Sequence, residues 1–182
     1  MIPFPNKKYG IIYADPPWSY RNKSSRGAAD NHYPTMKLKD ICALPVQDLA
    51  KDNCVLFMWA TYPAIKEALQ VVEAWGFTYK TIGFQWVKLN KSGVGYFLGT
   101  GNWTRANSEI CLLAVKGKPK RKSASVSQLI ISPVERHSKK PAITRDKIIE
   151  LMGGRKQDRT FCPRYSDRLG LLGQRDRGVI KC

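Results

Sequence analysis

The string Asp15-Pro16-Pro17-Trp18 sets a carboxylate, two residues without a backbone N–H and a flat aromatic within four consecutive positions. Pro-Pro fixes two φ angles and removes two donors, leaving a stiff turn whose carbonyl oxygens can accept hydrogen bonds. Such a turn suits a planar amine. The carboxylate and a proline carbonyl each accept one N–H, and the indole stacks on the ring, a contact of roughly 1–3 kcal/mol per base. An exocyclic adenine amine is a poor nucleophile because its lone pair is delocalised into the ring. Two acceptors at that nitrogen favour a more tetrahedral geometry and aim the lone pair at an electrophile. Positioning of this kind lowers a barrier by about 7–11 kcal/mol. Asp15 is therefore expected to orient the amine and stabilise charge, with full proton loss following the transfer. The plain alternative for the same string is a turn after a strand, with Trp18 in the core.

The elements around Asp15 put it where a site belongs. Residues 10–14 are β-branched and aromatic and stop at Asp15-Pro16-Pro17, which reads as a buried strand ending in a loop. Residues 19–31 are small, polar and basic, a loop pattern. Residues 39–49 read as short helical pieces broken at Pro45, and 55–59 as a second continuous apolar strand. Residues 63–75 form the clearest helix, with proline near its start, apolar residues at helical spacing and Gly76 as a stop. Strands are expected over 79–87 and 110–115, joined by a glycine-rich stretch over 89–107 whose length marks it as functional or disordered. Residues 144–151 read as a helix and 160–162 as a last short strand. Strands alternating with helices, several of them apolar on both faces, predict a single α/β domain with a doubly wound, mostly parallel sheet. In that architecture ligands bind beyond the carboxyl ends of the strands.

Composition narrows the classes. The 182 residues match the size of one domain, and 43% hydrophobic with 25% charged residues is a globular profile. Apolar runs are too short to span a bilayer, and the first residues lack a signal pattern, so a cytoplasmic protein without a membrane partner is expected. The five cysteines are scattered and the histidines number two, which argues for reduced, mostly buried thiols and against a metal site. Lys+Arg 31 against Asp+Glu 14 gives a formal charge of +17, and a polyanion is the expected partner. Tyr20, Arg21, Lys23 and Arg26 in the first loop, and Lys88, Lys91, Trp103, Arg105 and Asn107 around the second, mix cations with aromatics as phosphate and displaced-base contacts require. Lys116, Lys118, Lys120, Arg121 and Lys122 form a further basic run.

Asp15-Pro16-Pro17-Trp18 resembles the motif of S-adenosylmethionine-dependent amino-methyltransferases, specifically the MT-A70 family of adenine-N6 methyltransferases. Further blocks are similar in the same order: Leu56-Phe57-Met58-Trp59-Ala60-Thr61, Ala74-Trp75-Gly76-Phe77, Trp86-Val87-Lys88, the stretch 101–109 and Glu135-Arg136-His137-Ser138-Lys139-Lys140-Pro141. The resemblance is strongest to the compact bacterial or phage branch. It implies a single Rossmann-like methyltransferase domain over 1–182, with the catalytic motif N-terminal in a permuted order. Residues 1–141 would carry catalysis and target recognition, and 142–182 a divergent part of the cofactor site. It further implies methyl transfer to adenine N6 in DNA, with Asp15, Pro16, Pro17 and Trp18 as the catalytic group. Asp15, Pro16, Lys140, Phe161, Arg164 and Gln174 would contact S-adenosylmethionine, Lys140 near its carboxylate or ribose end. The C-terminal part departs from the family: Gln174 replaces an asparagine, Arg164 falls one place late, and Leu169 and Leu172 stand where tryptophans do. The same reaction on RNA, and a non-catalytic basic nucleic-acid-binding subunit, stay open as alternatives, as do monomer and homodimer.

Overall fold

The computed structural model describes residues 7–19, 35–101, 103–136 and 138–153. The described chain forms β1 (Tyr9–Ala14), α1 (Leu38–Cys42), α2 (Val46–Leu49), β2 (Ala50–Ala60), α3 (Ile65–Ala74), β3 (Thr78–Leu89), β4 (Ser108–Lys116), β5 (Leu129–Pro133) and α4 (Ile143–Met152). The expected elements within these residues are present. Pro45 separates α1 from α2, and a one-turn 3-10 helix at Tyr62–Ala64 carries Pro63 into α3. Gly76, at φ +77°, lets the chain leave α3 where a side chain would be strained. The last expected strand, over 160–162, lies outside the described residues.

The sheet corrects one expectation. Its order is β1-β2-β4-β3-β5, with β1–β2 and β3–β5 parallel and both pairings of β4 antiparallel, so it is mixed rather than mostly parallel. The cause lies in the stretch between β3 and β4. A parallel neighbour needs a crossover, usually helical, to return the chain to the starting end. Residues 90–107 contain no helix among those described, so β4 re-enters at the end where β3 finishes. The carboxyl ends of β1, β2, β3 and β5 thus share one pole of the sheet with the amino end of β4.

Both faces of the sheet are covered. Alternation along β2 sends Cys54, Leu56, Met58 and Ala60 to one side, where they pack with Ile41, Val46, Val71, Val72 and Trp75 of the α1–α3 segment. Val55, Phe57 and Trp59 point the other way and pack with Tyr13, Phe84, Trp86 and Ile148 of α4. Strands buried on both faces read as continuous apolar runs, which is why they were visible in the sequence. β5 was not: only Ile130 of its five residues is buried, and it ends at a proline. Because Ile148 is fully buried between α4 and the sheet, Ile148→Ala should destabilise the protein by about 2–5 kcal/mol. Urea unfolding should show a lower midpoint with an unchanged slope.

Candidate active site

Period two in the strands collects the site. Tyr13, Trp59, Trp86 and Cys111 all belong to the α4 face of the sheet. Continuing each strand by two residues toward the shared pole places Asp15 after Tyr13, Lys88 after Trp86 and Glu109 before Cys111 on that same face. The fourth member comes from the turn between β5 and α4. There Ser138 adopts φ 60°, Lys139 N–H donates to Arg136 O, and Pro141 leads into α4. This turn delivers Lys140 to the end of the sheet.

Lys140 Nζ lies 3.1 Å from Asp15 Oδ1 and 3.2 Å from Glu109 Oε2, and Lys88 Nζ lies 2.6 Å from Glu109 Oε1. The four side chains are 11–17% exposed. Beneath them the indoles of Trp59 and Trp86 meet edge to face at 6.3 Å, with Lys140 Nζ over the first ring at 5.9 Å and Lys88 Nζ over the second at 5.1 Å. Trp59 is held in place by donating from Nε1 to Tyr13 Oη at 2.6 Å. Burial alone would push the Lys140 ammonium toward neutrality, but Asp15 and Glu109 outweigh it and raise its pKa above the usual lysine value. Burial likewise works against an ionised Glu109, and Lys140 and Lys88 overcome it, holding the carboxyl below its ordinary range. Cys111, fully buried, has its thiol pushed well up by burial and then by Asp15, so it stays protonated.

The Pro-Pro turn differs from its sequence-based picture. Trp18 N–H donates to Pro16 O and Met36 N–H to Pro17 O, both at 2.9 Å, so each proline carbonyl already accepts one bond and retains one lone pair. Trp18 is 7% exposed, and its Nε1 donates to Trp59 O at 3.1 Å. It therefore anchors the turn in the core and offers no open stacking face, because an indole with a buried N–H and apolar neighbours is worth more packed than solvated. Lys88 is likewise corrected: it is withdrawn into the ion pair with Glu109 and does not stand ready for a phosphate. Trp103, 99% exposed, and Arg105 stand out in the loop after β3, whereas Asn107 is half-buried and its carbonyl accepts from Lys88 N–H. That loop is ordered by further bonds, Asn90 N–H to Gly95 O, Phe97 N–H to Lys88 O and Gly99 N–H to Ala106 O. Tyr20, Arg21, Lys23, Arg26, Phe161, Arg164 and Gln174 lie outside the described residues. Glu109 was missed as a functional residue. Its signal was an acid opening an apolar strand just across the connection from a lysine closing another.

A family model described as MT-A70 matches residues 9–162. The chain belongs to the MT-A70 family. Type II methyltransferase M.MunI from Mycoplasma sp is 34% identical, the match covering 81% of this chain and 69% of that protein. A putative N(6)-adenosine-methyltransferase MT-A70-like protein from Medicago truncatula is 32% identical over 74% of the chain. The N(6)-adenosine-methyltransferase catalytic subunit METTL3 from Homo sapiens is 28% identical, also over 74%. The chain spans about a fifth of the length of these two, 20% and 22%. The MT-A70 match and the similarity to M.MunI support adenine-N6 methyltransferase activity, and the four-charge cluster includes Asp15, the first residue of the Pro-Pro turn.

The ion-pair network sets a pH window for this MT-A70 domain. Glu109 has a depressed folded pKa, so its contribution is complete above the ordinary value of 4.5 and is lost as pH falls through the lower folded value. Lys140 has a raised one, so its contribution is complete below the ordinary 10.5 and persists until pH rises through the higher folded value. Glu109→Gln should remove the Glu109 part of the acid limb of a melting-temperature profile and lower the neutral-pH plateau, because Lys88 loses its carboxylate and Lys140 keeps only Asp15. Lys140→Met, which leaves two carboxylates without their shared cation, should cost about 3–5 kcal/mol near neutral pH, read by chemical denaturation.

Proposed function

We propose that this protein transfers the methyl group of S-adenosylmethionine to the N6 amine of adenine in DNA, on a permuted Rossmann-like methyltransferase domain. The observation that carries the reading is the Asp15 carboxylate fixed at 3.1 Å by Lys140 beside a Pro-Pro turn, at the pole where four strands end. The similarity to M.MunI, a type II methyltransferase, supports DNA as the substrate.

The donor set suits the cofactor. An ammonium has three N–H donors, and Lys140 directs two of them at Asp15 and Glu109. A third remains for the carboxylate or ribose of S-adenosylmethionine, while the carboxylates suit a sulfonium. When bound, that cofactor supplies an electrophilic methyl group. Phe161, Arg164 and Gln174 complete its contacts in this reading. Asp15 and the remaining lone pair of Pro16 O accept the two amine N–H bonds and hold the nitrogen lone pair toward the electrophile. The nitrogen's bond to the methyl carbon forms as the carbon–sulfur bond of the donor breaks, Asp15 stabilises the charge that develops on the amine, and the excess proton leaves to water after the transfer. Trp18 holds the turn against the sheet, so that Asp15 and Pro16 keep their relative position. Tyr20, Arg21, Lys23, Arg26, Trp103 and Arg105 contact the nucleic acid around an extruded base.

A second reading, the same transfer to RNA, is supported by the similarity to the plant and human relatives, named as N(6)-adenosine-methyltransferases. One assay separates the two. Tritiated-methyl transfer from S-adenosylmethionine should label adenine in unmethylated DNA, and Asp15→Ala should lower the rate at least about a hundredfold while leaving the melting temperature near that of the parent. Label confined to RNA would move the substrate, and an active Asp15→Ala variant would remove Asp15 from the mechanism.

A further inference from the structure

The basic run after β4 lies at the wrong end of the sheet to serve the active site. β4 starts beside Asp15 and Lys140, and Lys116 closes it at the opposite pole. Its nine residues make eight steps of about 3.3 Å, which put roughly 26 Å between the two ends. Gly117 then turns the chain at φ +66°, in a spot where a Cβ would fall 2.1 Å from Asp52 O. That turn lays the following segment against the start of β2, where Lys118 N–H donates to Asn53 Oδ1 at 2.7 Å. Its other end is fixed as well: Lys122 N–H and Ser123 N–H donate to Leu151 O at the end of α4, at 2.7 and 3.3 Å. Pro119 stiffens what lies between. The result is an irregular ribbon pinned at both ends, with Lys118, Lys120, Arg121 and Lys122 all exposed. Lys8 and Lys51, beside Asn53, extend the same surface, on which Asp52 is the local carboxylate.

No acid occurs between Glu109 and Glu135, so the ribbon contains no internal counter-charge. Fixing four cations in a short pinned segment concentrates positive potential where free tails would spread it, and neighbouring phosphates are the matching polyanion. We propose that this pole is a second nucleic-acid surface, which grips the phosphate backbone of a segment other than the one held at Asp15. A duplex of about 10 base pairs centred on its target adenine extends roughly 17 Å either way, short of the roughly 26 Å to Lys116, where the ribbon begins. A long duplex, stiff over about 150 base pairs, reaches the ribbon by bringing a distant segment back, or by linking a second molecule.

The test replaces Lys118, Lys120, Arg121 and Lys122 together with glutamine. All four side chains are exposed, and circular dichroism and melting temperature check that the fold is kept. Binding and methylation are measured on a 10-base-pair hairpin duplex, on DNA of about 300 base pairs and on RNA of similar length, across a salt series. The variant should methylate the short hairpin with unchanged kcat and KM. Its affinity for a long polymer should fall about tenfold, with the salt slope reduced by about 2–3. DNA and RNA arms report which polymer the surface takes. An equal loss on the short hairpin would place the ribbon at the active site, and no loss on either long polymer would make it a solvated face; both overturn the proposal. Methylation of the short hairpin reads the active site separately, so failure of the ribbon leaves the catalytic reading standing.

Discussion

One ammonium holds the site together. Lys140 sits 3.1 and 3.2 Å from carboxylates that belong to the end of β1 and the start of β4, and it arrives from the turn between β5 and α4. Three parts of the chain far apart in sequence meet at that nitrogen. Without it, Asp15 and Glu109 would face one another as like charges in a poorly solvated place and repel. Taking three charges from water is expensive, and the attraction between them returns that cost only when the geometry is good. Here the geometry rests on the sheet register, which fixes both carboxylates, and on the Ser138 turn, which fixes the lysine.

The aromatic floor explains how a mostly buried charge cluster is tolerated. Trp59 and Trp86 each present a ring to a lysine ammonium, an attraction that strengthens as water is excluded. Tyr13 locks Trp59 from below through its hydroxyl, and Trp86 is locked by donating from Nε1 to Ser132 O at 3.1 Å. The rings cannot rotate away from the cations they support. This rigidity reaches Trp18, whose Nε1 is bonded to Trp59 O, so the Pro-Pro turn, the floor and the cations behave as one block.

The sequence showed most of what depends on local pattern. Residues 55–59 and 110–115 were visible because strands buried on both faces are uninterrupted in apolar residues, and α3 because Pro63 and Gly76 bracket its periodicity. Asp15-Pro16-Pro17-Trp18 was visible as a stiff acceptor turn. What stayed hidden depends on pairing across the chain. The reversal of β4 follows from the missing crossover between 90 and 107, a property of the connection and not of the strand. Lys88 reads as a free cation until the register sets Glu109 beside Trp86, and Trp18 reads as a platform until Trp59 O is found at its indole N–H. Lys140 was named as a cofactor contact, but its grip on Asp15 arises from a turn no pattern displays.

Charge is distributed unevenly for a chemical reason. In a chain of +17, the cluster at the reacting pole pairs Asp15 and Glu109 with Lys88 and Lys140 and is neutral as a set. A base amine is uncharged, and the methyl donor in the proposed reaction is a sulfonium, which unbalanced lysines would repel. Phosphates make the opposite demand and need exposed cations. One small domain meets both when the cations that face the donor are paired and buried and the others stay exposed. Its aromatic-floored pole cancels charge among buried groups, while Lys118, Lys120, Arg121 and Lys122 remain exposed at the far pole. An unpaired lysine added to the buried set would oppose a cationic donor, whereas the same lysine in an exposed position would add to the attraction for a polyanion.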